Sequence, residues 1–221
     1  IVTIAFIIKI FIPAIYNGYS PIFFAIITTI FSSLVTIYFT VGMNKKFVVA
    51  LLGVTSGVLI AGILSYIFTY RMRLNGFLDS DLLASAYLLK NVKIKELIPA
   101  GVIIGSLGAV MDVAVSITSS INELHETDPN MSKKSMFKSA INIGNDIIGT
   151  MINTLILAYI ASSIFTLLLI YIQANEYPLI RILNFQDIAV EIMRSICGSI
   201  GILIAVPLTA YIGTVIYKKN K

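Results

Sequence analysis

Residues 97–121 read LIPAGVIIGSLGAVMDVAVSITSSI, a run in which Asp112 is the one charged side chain. An apolar stretch of this length fits a helix crossing the hydrocarbon of a bilayer, for which about 20 residues suffice. The polar and small residues in and just beyond it are not scattered. Gly101, Gly105, Gly108, Asp112, Ser116, Ser119 and Glu123 recur at spacings of three and four, so they share one helical face. The remaining faces are mainly Val, Ile, Leu and Met. Small residues let a neighbouring backbone approach closely, and Gly101-x-x-x-Gly105 is a helix-packing motif. A carboxylate midway along such a span costs about 3 kcal/mol in hydrocarbon, so Asp112 is expected to face protein or a wet cavity.

Outward from this run the same composition continues. Further apolar segments cover about residues 1–15, 22–41, 47–70, 141–172 and 188–217. Hydrophobic residues make up 57 % of the chain and charged residues 12 %, about half the charged share of a soluble domain. Mean hydropathy is +0.93. Residues 1–221 therefore read as one all-α transmembrane domain, a polytopic bundle of about six spans in a lipid bilayer. Barrel strands would alternate over about ten residues, whereas these runs are apolar on both faces. The chain opens on Ile1 inside an apolar run, so a trimmed N-terminus is expected. Its single cysteine, Cys197, excludes an internal disulfide and CxxC metal sites.

The net charge of +5 sits at the ends of the apolar runs, which indicates topology rather than nucleic-acid binding. Lys45, Lys46, Lys133, Lys134, Lys138, Lys218, Lys219 and Lys221 fall on one side, and Arg71, Arg73, Lys90, Lys93, Lys95 and Arg181 on the other. The richer side is expected to be cytoplasmic, with both termini there. Between the third and fourth spans, Leu82, Leu83, Ala86, Leu88 and Leu89 cluster on one helical face behind Asp79 or Ser80 as a cap. This pattern predicts an amphipathic helix on the membrane surface.

The segment after residue 141 carries a second stripe, Ser139, Asn142, Asp146, Gly149 and Asn153, which Asn145, Thr150 and Thr154 widen. Ser132, after the Asp128-Pro129-Asn130 turn, is the expected cap of this helix. A short connector makes the two striped helices antiparallel, and the cheapest arrangement sets their stripes against each other. Two readings stay open. The polar groups either glue helices together, or they form a proton or ion site built on Asp112, Asp146, Asn142, Ser116, Asn153 and Thr150.

Other features read more simply. Gly53, Gly57 and Ala61 form a packing seam on the third span. Glu191 and Arg194, at i and i+3, form an ion pair near the outer end of the last span, where Pro207 is the expected kink. His125 lies in a charged connector. No catalytic residue, metal ligand set or cofactor is expected: there is no Ser–His pair, HExxH or Gly-rich phosphate loop. The GxGD pattern of intramembrane aspartyl proteases is absent too, since the chain reads Gly144-Asn145-Asp146.

The run GSLGAVMDVAVSITSSINEL at 105–124, DPNMS at 128–132, FKSAINIGNDIIGTMINTLILAY at 137–159, GSIG at 198–201 and PLTA at 207–210 resembles the YibE/F family of bacterial membrane proteins. The resemblance implies a multi-pass protein of the bacterial cytoplasmic membrane, often with an extracytoplasmic region upstream. It also suggests a partner, either a second copy or a sister YibE/F protein. The order of an acidic residue in mid-helix, a cytoplasmic connector and then a helix with Asn and Thr is also similar to SecD/SecF and RND-type membrane domains. Two departures are the tight first connector and the long third one. The expected function is transport or translocation, proton- or ion-coupled through the aspartates; a non-catalytic subunit that binds a partner membrane protein is the alternative.

Overall fold

A computed structural model describes residues 2–75, 91–173, 178, 180–181 and 184–217. The described residues are helical apart from short turns, without strands. Five helices have the length and apolar character to cross a membrane: α2 (Pro21–Val41), α3 (Lys45–Arg71), α4 (Ile94–Thr127), α5 (Lys133–Ser162) and α7 (Gln186–Tyr217). Two are shorter: α1 (Val2–Tyr16) and α6 (Ile164–Gln173). Among the described residues there are thus five helices of spanning length and a shorter apolar first helix, in keeping with the expected bundle of about six. The stretch expected to run unbroken to residue 172 breaks at Ser163, between α5 and α6. The amphipathic surface helix expected around residues 79–89 lies outside the described residues.

Local chemistry sets the helix ends. Ser20 caps α2, its hydroxyl oxygen accepting from the Phe23 amide. Asn44 and Ser132 cap α3 and α5 in the same way, each satisfying an amide that has no partner within the helix. Gly42, at φ +76°, ends α2 in a conformation a side chain would resist. α7 runs unbroken through Pro207.

The core is the packing of α3, α4 and α7, with α2 against α4 and α5 against α7. Glycines permit it. A methyl group placed on Gly57 would stand 2.8 Å from Ala205 Cβ and from Val110 Cγ1, and 3.1 Å from the Gly201 carbonyl. One placed on Gly201 would stand 2.9 Å from Ala61 Cβ and 3.1 Å from the Gly57 carbonyl. The two backbones therefore touch, as small residues allow between membrane helices. Gly53 lies against Thr209, Gly62 against Ile103, and Gly213 against Ile121.

One end of the bundle gathers the start of α3 and the ends of α4 and α7. Tyr217 donates to Asn122 Oδ1 at 3.0 Å, its ring meets His125, and Lys45 Nζ lies 5.8 Å from its centroid. At the other end Ser20 Oγ donates to Glu96 Oε2 at 2.5 Å, tying α2 to α4.

Because Gly57 has no free volume, Gly57→Val should cost about 1–3 kcal/mol through overpacking. Gly108→Ala, with nothing within 4 Å of the added carbon, should change stability little. Thermal unfolding in detergent micelles, followed by circular dichroism, distinguishes the two.

Candidate functional site

The two polar stripes can now be placed. On α4, mainly apolar residues occupy the sides packed on other helices: Ile103 faces α3 and Val110 lies at the contact of α3 with α7, while the small Ser106 lies beside Gly198 of α7. What remains is the stripe, and it is open. Gly105, Gly108, Asp112, Ser116 and Glu123 are exposed, and Gly101 and Ser119 are half-buried. On α5 the buried residues are Met136, Ala140, Gly144 and Leu155. They dock the helix on α7, with Gly144 against Val206 and Leu155 against Gly198. The opposite face, with Asn142, Asn145, Asp146, Gly149, Thr150, Asn153 and Thr154, is exposed.

The stripes therefore do not seal against each other as expected. α5 instead buries its small, apolar face on α7, an arrangement that turns its amides and carboxylate outward. Yet the stripes remain neighbours. Gly105 belongs to the α4 stripe and still meets Tyr159 of α5, 2.9 Å from the hydroxyl to an added Cβ. The stripe thus runs along the edge of the α4–α5 contact. Ile117 of α4 approaches Gly144 of α5, which fixes the antiparallel register. Asp112 is then about level with Gly149 and Thr150, and Asp146 about level with Ser116. The two carboxylates differ by roughly 6 Å in depth.

Some hydroxyls on and beside this face are occupied by their own helices. Ser120 donates to the Ser116 carbonyl, Thr150 to Ile147 and Thr154 to Thr150. Asp112 and Asp146 have no ion-pair partner among the described residues. Gly108 and Gly149 are bare: nothing lies within 4 Å of a Cβ added at either. No group of three His, Cys, Asp or Glu side chains converges among the described residues.

Toward the Glu96 end the stripe meets a different group. Arg194 Nη1 donates to Glu191 Oε1 at 2.6 Å, and the guanidinium rests on Gly101, 3.5 Å from an added Cβ. Three atoms here are buried without a hydrogen-bond partner: Glu191 Oε2, Arg194 Nε and Tyr159 Oη. Tyr159 carries no signature in the sequence, because a single hydroxyl in an apolar run has no period. Its one trace is a glycine on each facing helix, Gly105 and Gly198, that makes room for it.

A family model described as YibE/F-like protein matches residues 1–219. No curated protein and no solved structure matches the chain.

The open faces make a direct prediction. In a Cys197→Ala background, Ser116→Cys and Asn153→Cys should react with a polar thiol reagent in micelles roughly tenfold faster than Ala114→Cys, which is buried in the core.

Proposed function

The chain belongs to the YibE/F-like family, and on that footing we propose that it is a transport or translocation subunit of the bacterial cytoplasmic membrane. In this reading its α4–α5 face forms one wall of a path for protons or small cations, and a second membrane chain closes it. That chain is another copy or a sister YibE/F protein. The Lys45 end lies in the cytoplasm, following the bias of basic residues.

One observation carries the reading: carboxylates on two neighbouring helices, Asp112 and Asp146, are exposed within the spans. A charged side chain at the centre of a span costs about 2.5–3.5 kcal/mol on insertion scales, and those found there almost always face a bundle interior or a water-filled cavity. A face with two aspartates and three asparagines is therefore not a lipid surface. It is the unfinished half of an interior. Carboxylates inside such an interior take up and release protons or hold cations, whereas amides and bare glycines leave room for water.

A second reading, a non-catalytic subunit whose face only packs, draws on two features. The Thr150 and Thr154 hydroxyls of the face are bonded to their own helix, and Gly108 and Gly149 offer space for a partner helix.

Proteoliposomes prepared from the complex as extracted separate the readings. Under an imposed pH gradient, Asp112→Asn should lose most dye-reported proton or cation flux while keeping wild-type helicity and assembly. Unchanged flux in that variant would leave the packing reading alone standing. Both readings share one further expectation. Gly149→Leu should weaken the complex on native gels without lowering the stability of the single chain, because the added side chain enters space that only a partner would fill.

A further inference from the structure

The cluster of Tyr159, Glu191 and Arg194 is unexplained by packing. A buried polar atom without a partner costs about 1–3 kcal/mol, and here three occur together: Tyr159 Oη, Glu191 Oε2 and Arg194 Nε. They come from two helices, α5 and α7, and converge on the α4 stripe. Arg194 rests on Gly101, and Tyr159 Oη lies against Gly105 and 3.7 Å from a Cβ added at Gly198. The glycines make the space, and the side chains turn polar atoms into it.

We propose that Tyr159, Glu191 and Arg194 form a hydrated station that relays protons between the Glu96 end of the membrane and Asp112. This inference rests on the transport reading and names the residues that continue its path. Buried water is held where two to four polar atoms can bind it, and the three orphaned atoms supply that number. From the station the stripe descends past Gly105 and Gly108 to Asp112, seven residues and roughly 10 Å further along α4. Gly108 is bare, with nothing within 4 Å of an added Cβ, so a short file of waters fits between the hydroxyl and the carboxylate once the partner chain closes the face. Toward the membrane surface, a cavity of about 290 Å³ between α5, α6 and α7 reaches from Asp187, in the first turn of α7, to Tyr159 and Glu191. Its other walls are mostly isoleucine and leucine.

The chemistry balances without a co-reactant. Tyr159 Oη accepts a proton from one water as it donates its own to the next, and ends as it began. Glu191, held by Arg194 through Oε1, keeps Oε2 to orient the waters, and the guanidinium offsets its charge. The charged or titratable groups facing Tyr159 are Arg194, Glu191 and Cys197, all on α7.

Tyr159→Phe tests this, since it deletes the hydroxyl and keeps the ring. In proteoliposomes of the extracted complex it should lower proton flux at least roughly tenfold, with assembly and thermal stability unchanged. Tyr211→Phe, at an exposed position of α7, is the control and should leave flux at wild-type level. Should Tyr159→Phe destabilise the protein, hydroxyl-radical labelling of the wild type decides instead: Tyr159 should label as strongly as exposed Tyr211, through bound water. Wild-type flux in a folded Tyr159→Phe, or an unlabelled Tyr159, overturns the station. The transport reading survives that result if Asp112→Asn still abolishes flux, and falls if it does not.

Discussion

The contact between Gly57 and Gly201 is the constraint on which the rest of the bundle depends. Each glycine's carbonyl stands 3.1 Å from where the other's β-carbon would be, so α3 and α7 meet backbone to backbone. In lipid there is no hydrophobic drive to bring helices together, because the solvent is as apolar as the side chains. Close van der Waals packing must do it. Once α3 and α7 are joined at this point, Val110 of α4 fits against the same contact, and α4 buries every side but one.

From that order of packing the orientation of the polar faces follows. Two half-polar helices considered alone would hide their stripes in each other. α5 is not alone with α4, however: α7 presents Val206 and Gly198, which receive Gly144 and Leu155. The apolar face of α5 fits that surface closely, and its polar face lies on the opposite side of the helix. One helix cannot satisfy both surfaces. Within the single chain the packing on α7 prevails, and Asp112 and Asp146 are both left exposed.

This marks where the sequence stops being informative. The spans are legible because hydropathy acts residue by residue: the ends of α2, α3 and α7 fall within two residues of the apolar runs, whereas α4 continues past its run to Thr127. The membership of each stripe is legible because a helix has a fixed period: Gly105, Gly108, Asp112 and Ser116 do share a face. What a face meets is a three-body question, and periodicity carries no information about the third helix. The same limit hid Tyr159, whose place depends on Gly105 and Gly198 lying on two other helices at its own depth.

The exposure of the stripes also bears on what counts as the whole protein. A soluble chain can leave polar groups on its surface at no cost, because water receives them. A membrane chain cannot do so at mid-span. Exposed carboxylates and amides within the spans thus mean the reverse of what they mean in water: they mark surface ill suited to lipid. By that measure the apolar flank of α3, with Leu52, Leu59 and Ile63 exposed, suits contact with lipid tails. The exposed stripes of α4 and α5, with their carboxylates, amides and two bare glycines, do not suit it, which is the physical ground of the proposed partner.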